Sequence, residues 1–262
     1  LPGAGGRLLA VEAFKFAQSV RQRCLVRITR VQLITINNRR FSMNTKRLLT
    51  CAAVIAASTF GATNAQDSEA DNAMSFFITS VGSGDGANLG GLAGADAHCQ
   101  NLAQAAGSRG KTWRAYLSAH ATEEMAAIDA RDRIGFGPWY NARGVEVAST
   151  LNALHSDFMN LGKENSLDEN GNTVNGRGDT PNEHDILTGS TLAGNTVDDG
   201  DNHTCNNWTS NDSGSAHVGH FDRQGGGANP TSWNSAHGSR GCSQANLVAT
   251  GGAGYFYCFA TN

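Results

Sequence analysis

GLAGADAHCQNLAQAAG, residues 91–107, and YFYCFA, residues 255–260, are the two stretches whose reading decides the fold. In the first, Leu92, Ala95, Cys99, Leu102 and Ala106 recur at three- and four-residue steps, one face of a helix, and Gly107 follows as a C-terminal stop. The second is a closing apolar run of aromatic residues, a strand that carries Cys258. Cys99 and Cys258 bracket most of the chain, with Cys205 and Cys242 between them. Four cysteines in an exported domain read as two disulfides, with three pairings open. Free thiols or a metal site are the weaker alternative, because no cysteine spacing here suits zinc.

Export is read from the segment ahead of the helix. From Met43 the chain runs MNTKRLLTCAAVIAASTFGATNAQDSEADNA. Lys46 and Arg47 form a basic start, Leu48–Phe60 an apolar stretch too short to span a bilayer, and Ala62–Ala65 a small-residue cleavage site. Residues 43–65 therefore read as a secretory signal peptide, 1–42 as a mis-set or non-native extension, and 66–74 as a polar, acidic arm. Residues 75–262 are the domain. Cys24 and Cys51 drop out with the leader, and Cys51 precedes most of the apolar run rather than following it, as a lipid-modified cysteine would.

Removing the leader changes the charge. Ten of the 20 Lys and Arg, but one of the 23 Asp and Glu, precede Gln66, which leaves a net charge of about −12. Nucleic acid, heparin-like polyanions and anionic membranes are poor partners for such a surface. No later segment is long and apolar enough to span a membrane.

Along the domain, SFFITSVG (75–82) reads as a first strand and GSGDGANLGG as a glycine-rich turn without phosphate-loop character. TWRAYLS (112–118) is a strand with Trp113, Ala115 and Leu117 on one face. A short helix is expected over 122–130. PWYNARGVEVAS (138–149) reads as a hairpin turning at Asn141–Gly144, with Ser149 capping a third short helix to Leu154. Asn170-Gly171 marks a turn, 185–190 a short strand, and 211–241 a long Gly/Asn/Ser loop. Short helices, several strands and long late loops make an α+β domain of short helices packed on mostly antiparallel strands.

Three blocks carry a resemblance. GLAGADAHCQNLAQAAGSRGKTWRAYLS, ILTGSTLAG…CNNWTS and GCS…FYCF resemble, in order, the opening helix and strand, the tryptophan-bearing cysteine loop and the final cysteine pair of endostatin-type domains, which share the C-type-lectin-like fold. The chain is also similar to bacterial secreted lectin-like proteins. The resemblance implies the pairings Cys99–Cys258 and Cys205–Cys242. In the chain-entropy model their loops of about 159 and 37 residues would stabilise by about 5 and 4 kcal/mol. It also implies a binding module, although this fold hosts many ligands. The departures are specific. The family's N-terminal zinc histidines are absent near Ser75, so no zinc is expected. The sugar-binding Glu-Pro-Asn and Trp-Asn-Asp motifs are reduced to Thr180-Pro181-Asn182 and Trp208-Thr209-Ser210-Asn211-Asp212.

The candidate site residues follow from chemistry. Asp198, Asp199 and Asp201 offer hard oxygens to calcium, with a solvated acidic loop as the plainer alternative; Asp168–Asn172 is a weaker set. Trp233, Asn234, His237 and Arg240 place an aromatic face beside amide, imidazole and guanidinium groups, the chemistry of sugar binding; a tryptophan that pins a loop weighs equally. Trp208 reads as core. His217 and His220, with Asp222, read as structural or surface residues, and Arg177-Gly178-Asp179 as a chance tripeptide. No nucleophile motif stands out. The expected function is a secreted or periplasmic, non-enzymatic module that binds a glycan or an extracellular matrix or envelope component. The alternatives are a secreted hydrolase built on the loop histidines, or a structural envelope protein.

Overall fold

The computed structural model describes residues 74–262. The readings of an N-terminal extension, a signal peptide and the arm up to residue 73 lie outside the described residues; Met74, read as the arm's last residue, is buried in the core. The domain is α+β, and two disulfides join Cys99 to Cys258 and Cys205 to Cys242, the pairing that the resemblance implies. No helix among the described residues is long and apolar enough to cross a membrane. Two disulfides are compatible with an oxidising extracellular or periplasmic compartment.

The hub is the last strand, β8 (Gly252–Ala260). Its C-terminal half pairs antiparallel with β1 (Phe76–Ile78) on one edge and β2 (Trp113–Ala115) on the other, and its N-terminal half runs parallel to β5 (Asp185–Leu187). The sheet then continues to β6 (His217–His220) and β7 (His237–Gly238). Side chains alternate faces along a strand. Phe256 and Cys258 accordingly join Phe77, Trp113, Ala115, Leu187 and Val218 in one apolar cluster, while Tyr257 and Phe259 join Phe76, Ile78, Ile186 and Trp139 in a second on the opposite face.

The first cluster is closed by α1 (Gly91–Ala105), which buries Ala95, Cys99 and Ala103 and rests Leu92, Leu102 and Ala106 against the core. Gly107 follows its end at φ 95°, a left-handed position where glycine carries no Cβ penalty. The Cys99–Cys258 bond ties this helix to β8. The expected helix over 122–130 is absent. The Thr122 hydroxyl accepts from the amides of Glu124 and Met125, and Ala119 and Ile128 exchange two backbone hydrogen bonds, so the segment folds back as a loop. A 3-10 turn, Ala130–Arg133, follows. Its Arg133 is buried and reaches both Asp96 oxygens of α1 at 2.7 and 2.8 Å.

The hairpin forms from β3 (Trp139–Tyr140) and β4 (Glu146–Ala148), with the Asn141 side-chain oxygen accepting from Arg143 and Val145 across the turn. Thr150 rather than Ser149 caps α2 (Leu151–Leu154), its hydroxyl accepting from Ala153. Strands β6 and β7 stand within the stretch 211–241 that the sequence reads as loop, and a last helix, α3 (Gln244–Thr250), follows it where no element is expected.

Cys205–Trp208 is a left-handed turn, with four consecutive φ values between 48° and 67°. Left-handed backbone costs roughly 1–2 kcal/mol per L-residue, least for asparagine, and Asn206 and Asn207 occupy its middle. Burial of Trp208, whose indole donates to Ser118 O at 2.7 Å, and the Cys205–Cys242 bond offset that cost.

The buried Arg133 gives the first test of this architecture. Asp96→Ala leaves a buried guanidinium without its carboxylate, and urea unfolding should show a loss of about 3 kcal/mol. A loss below half a kcal/mol would show that the pair does not bind α1 to the 3-10 turn.

Candidate functional site

Two features concentrate chemistry at the β6–β7 side of the sheet. One is a buried cluster of histidines and an aspartate. The other is a groove of about 660 Å³ lined on one side by His155–Met159 and on the other by Arg223 and residues 228–234.

Strand register assembles the cluster. Asp185 is the cross-strand partner of His220, and Val218 is the partner of His237. Directly opposed residues share a face, and so do residues two apart. Asp185, His220 and His237 therefore emerge on one face of the sheet. His184 joins from the residue before β5, its ring stacked on His220 with centroids 4.4 Å apart. Asp185 and His220 are 3% and 0% exposed, and His184 is buried as well. Among the described residues, His184, Asp185 and His220 are the one group of three or more His, Cys, Asp or Glu side chains whose ligand atoms lie within 4.8 Å of one another.

The outer nitrogens are held. His184 Nδ1 lies 3.2 Å from Asp222 Oδ1, His220 Nδ1 2.8 Å from Pro230 O, and His237 Nδ1 3.1 Å from Gly238 O. Asp222 also accepts from the amides of Arg177 and Gln224. Burial alone would raise its pKa, but His184 and these two amides hold it below the ordinary carboxylate value. The inner atoms are not held. Both Asp185 carboxylate oxygens are buried without a hydrogen bond of proper geometry, as is Asn182 Oδ1.

The structure redistributes the sequence candidates. Trp233 is 2% exposed and packs on Tyr116 and Tyr257 with centroids 4.8 and 5.1 Å away, so its ring pins the loop and has no free face for a sugar. Asn234 is equally buried, donating to Tyr116 Oη and Thr191 O at 3.0 Å. His237 belongs to the cluster, and Arg240 is exposed, its backbone donating to Thr250. Asp198, Asp199 and Asp201 are exposed, and the Asp199 carboxylate accepts from His203 at 2.8 Å and from the Asp201 amide. Trp208 is core. In the Arg-Gly-Asp tripeptide, Asp179 pairs with Lys163. His220 lies 3.3 Å from the buried Asp185 carboxylate, the contact that a hydrolase reading requires, yet it is fully buried and does not line the groove.

His184, Asp185 and the groove residue Phe158 are not among the site candidates read from the sequence. An adjacent His-Asp pair entering a predicted strand, followed later by His-Val-Gly-His, is the available signal for the first two. No protein-family model matches the chain, and no curated protein is significantly similar to it.

His155, on the groove wall, generates a pH prediction. Its Nδ1 donates to Leu151 O at 2.8 Å, and in the neutral ring Nε2 accepts from the Tyr116 hydroxyl at 2.7 Å. Burial, only partly opposed by the Leu151 bond, lowers its pKa. Burial likewise pushes His217 down to about 4. An unfolded histidine titrates near 6.5, so below that pH the unfolded chain binds protons that the fold excludes. Stability should be full above about pH 6.5 and fall as the pH drops toward 4. Melting temperature against pH should show this acid limb, and His155→Gln should flatten it; an unchanged limb would count against a neutral, buried His155.

Proposed function

We propose that this domain is a binding module of the cell exterior, of C-type-lectin-like, endostatin-type architecture, and that the groove between residues 155–159 and 223–234 holds a glycan of the matrix or envelope. One observation carries the reading: Phe158 is 88% exposed at the edge of that groove, beside Arg223, Asn229, Thr231 and Ser232. A flat aromatic face next to planar guanidinium and amide groups is the chemistry by which sugars are stacked and hydrogen-bonded. Arg223 is a half-buried cation at φ 57°, with Asp157 3.8 Å away across the groove. The net negative charge agrees with a neutral or cation-assisted ligand rather than a polyanion.

The test is a glycan array and matrix-protein panel probed with the secreted protein, with calcium and with chelator. Binding should fall at least tenfold in Phe158→Ala and in Arg223→Ala without a change in melting temperature. Binding that vanishes with calcium removal and survives both substitutions would move the site to Asp198, Asp199 and Asp201. An absence of binding to every glycan and matrix protein would remove the reading.

A further inference from the structure

We propose that His184, Asp185 and His220 form a zinc site, with His237 standing beside it. Cysteine spacing and the missing N-terminal histidines argue against zinc in the sequence, but neither consideration concerns these residues, which come together only through strand pairing.

Tautomer logic is the first support. A carboxylate and a backbone carbonyl accept hydrogen bonds and never donate them. Asp222, Pro230 O and Gly238 O thus require an N–H at Nδ1 of His184, His220 and His237. In a neutral ring the proton is then spent, and Nε2 carries a lone pair. Three such lone pairs converge on the Asp185 carboxylate. With both rings neutral, His220 Nε2 and His237 Nε2 face each other at 3.0 Å as two acceptors, an arrangement that a proton on one ring or a metal ion beside them satisfies. A metal ion also answers the buried and unbonded Asp185 carboxylate. Orientation of a ligating imidazole by a carboxylate or carbonyl at its other nitrogen is the usual outer support of a zinc centre.

Geometry is the second support. Zinc–nitrogen and zinc–oxygen bonds of about 2.0–2.1 Å at tetrahedral angles put the ligand atoms about 3.3–3.4 Å apart. Asp185 Oδ1 lies 3.3 Å from His184 Nε2, 3.3 Å from His220 Nε2 and 3.7 Å from His237 Nε2. His237 Nε2 stands 3.0 Å from His220 Nε2, at the edge of this group. Imidazoles with one carboxylate suit zinc; calcium takes six to eight oxygens.

The surroundings are shaped to the rings. A Cβ on Gly225 would lie 2.3 Å from the His220 imidazole, and one on Gly227 would lie 2.8 Å from His237. The glycine run of residues 225–227 thus lets backbone lie directly against both rings. Three protein ligands leave a fourth tetrahedral position, on the side where His237 stands. The centre ties β5 to the start of the loop between His220 and His237, the loop that forms one groove wall.

The experiment starts from the secreted, disulfide-bonded protein, purified without a histidine tag and dialysed against chelator and then against zinc chloride or calcium chloride. Elemental analysis should find one zinc per chain, and zinc alone should raise the melting temperature. Cobalt chloride should give the intense visible bands of tetrahedral Co(II). The near-isosteric Asp185→Asn should weaken zinc binding at least 100-fold, and Asp222→Asn, which only loosens His184, about 10–100-fold. Far-ultraviolet circular dichroism and thiol titration establish that both variants fold with their disulfides. No zinc retained by the wild type, restoration by calcium instead, or zinc binding equal in Asp185→Asn would each overturn the proposal. Metal content is read without any glycan, so the result is independent of the groove.

Discussion

Everything in this domain depends on β8 having partners on both edges and apolar clusters on both faces. It is the longest strand, and it comes last. Its neighbours β1 and β2 come from the start of the described domain and β5 from the middle, so the sheet cannot be completed until the whole domain has been made. Pairing over such separations is entropically costly and slow to find. Cys258 stands within this strand and is bonded to the buried face of α1. The disulfide makes permanent the one long-range contact that organises both clusters.

The polar chemistry is an outgrowth of that arrangement. β5 is held against β8, β6 against β5, and β7 against β6, each step carrying the sheet further from the covalent anchor. At its far side the apolar face of Leu187 and Val218 gives way to Asp185, His220 and His237 without a change of pleat. The loop that leaves His220 and returns to His237 then has both ends fixed at one point. Its middle is pinned by Trp233 in the core, and the Pro230 carbonyl accepts from His220 itself. A groove wall lacking regular structure is thereby held at three places.

The sequence was most legible where one element carries its whole signal. The α1 face shows a helical period, the closing strand an aromatic run, and Asn141–Gly144 a turn, and all three stand in the structure. Legibility failed where tertiary contacts decide. His-Val-Gly-His, with one branched residue beside a glycine, and His-Gly, with none, carry little strand signal, and they become β6 and β7 by docking onto a formed edge. Trp233 sits among Gly, Asn and Ser, a loop composition, yet it is buried because Tyr116 and Tyr257 leave a slot for it. His184 and Asp185 show no metal spacing because their partners lie across strands rather than along the chain.

One consequence of the Asp185–His220 register concerns error rather than stability. Short strands such as β5 and β6 make few pairing contacts, and a slip of one residue sends every side chain to the opposite face. A slip of β5 against β6 would exchange Ile186 with Leu187, one aliphatic side chain for another. It would scatter the cluster's donors at once. The cluster is therefore a local proofreader: it distinguishes the correct alignment from its nearest wrong neighbour at a place where hydrophobicity alone discriminates poorly.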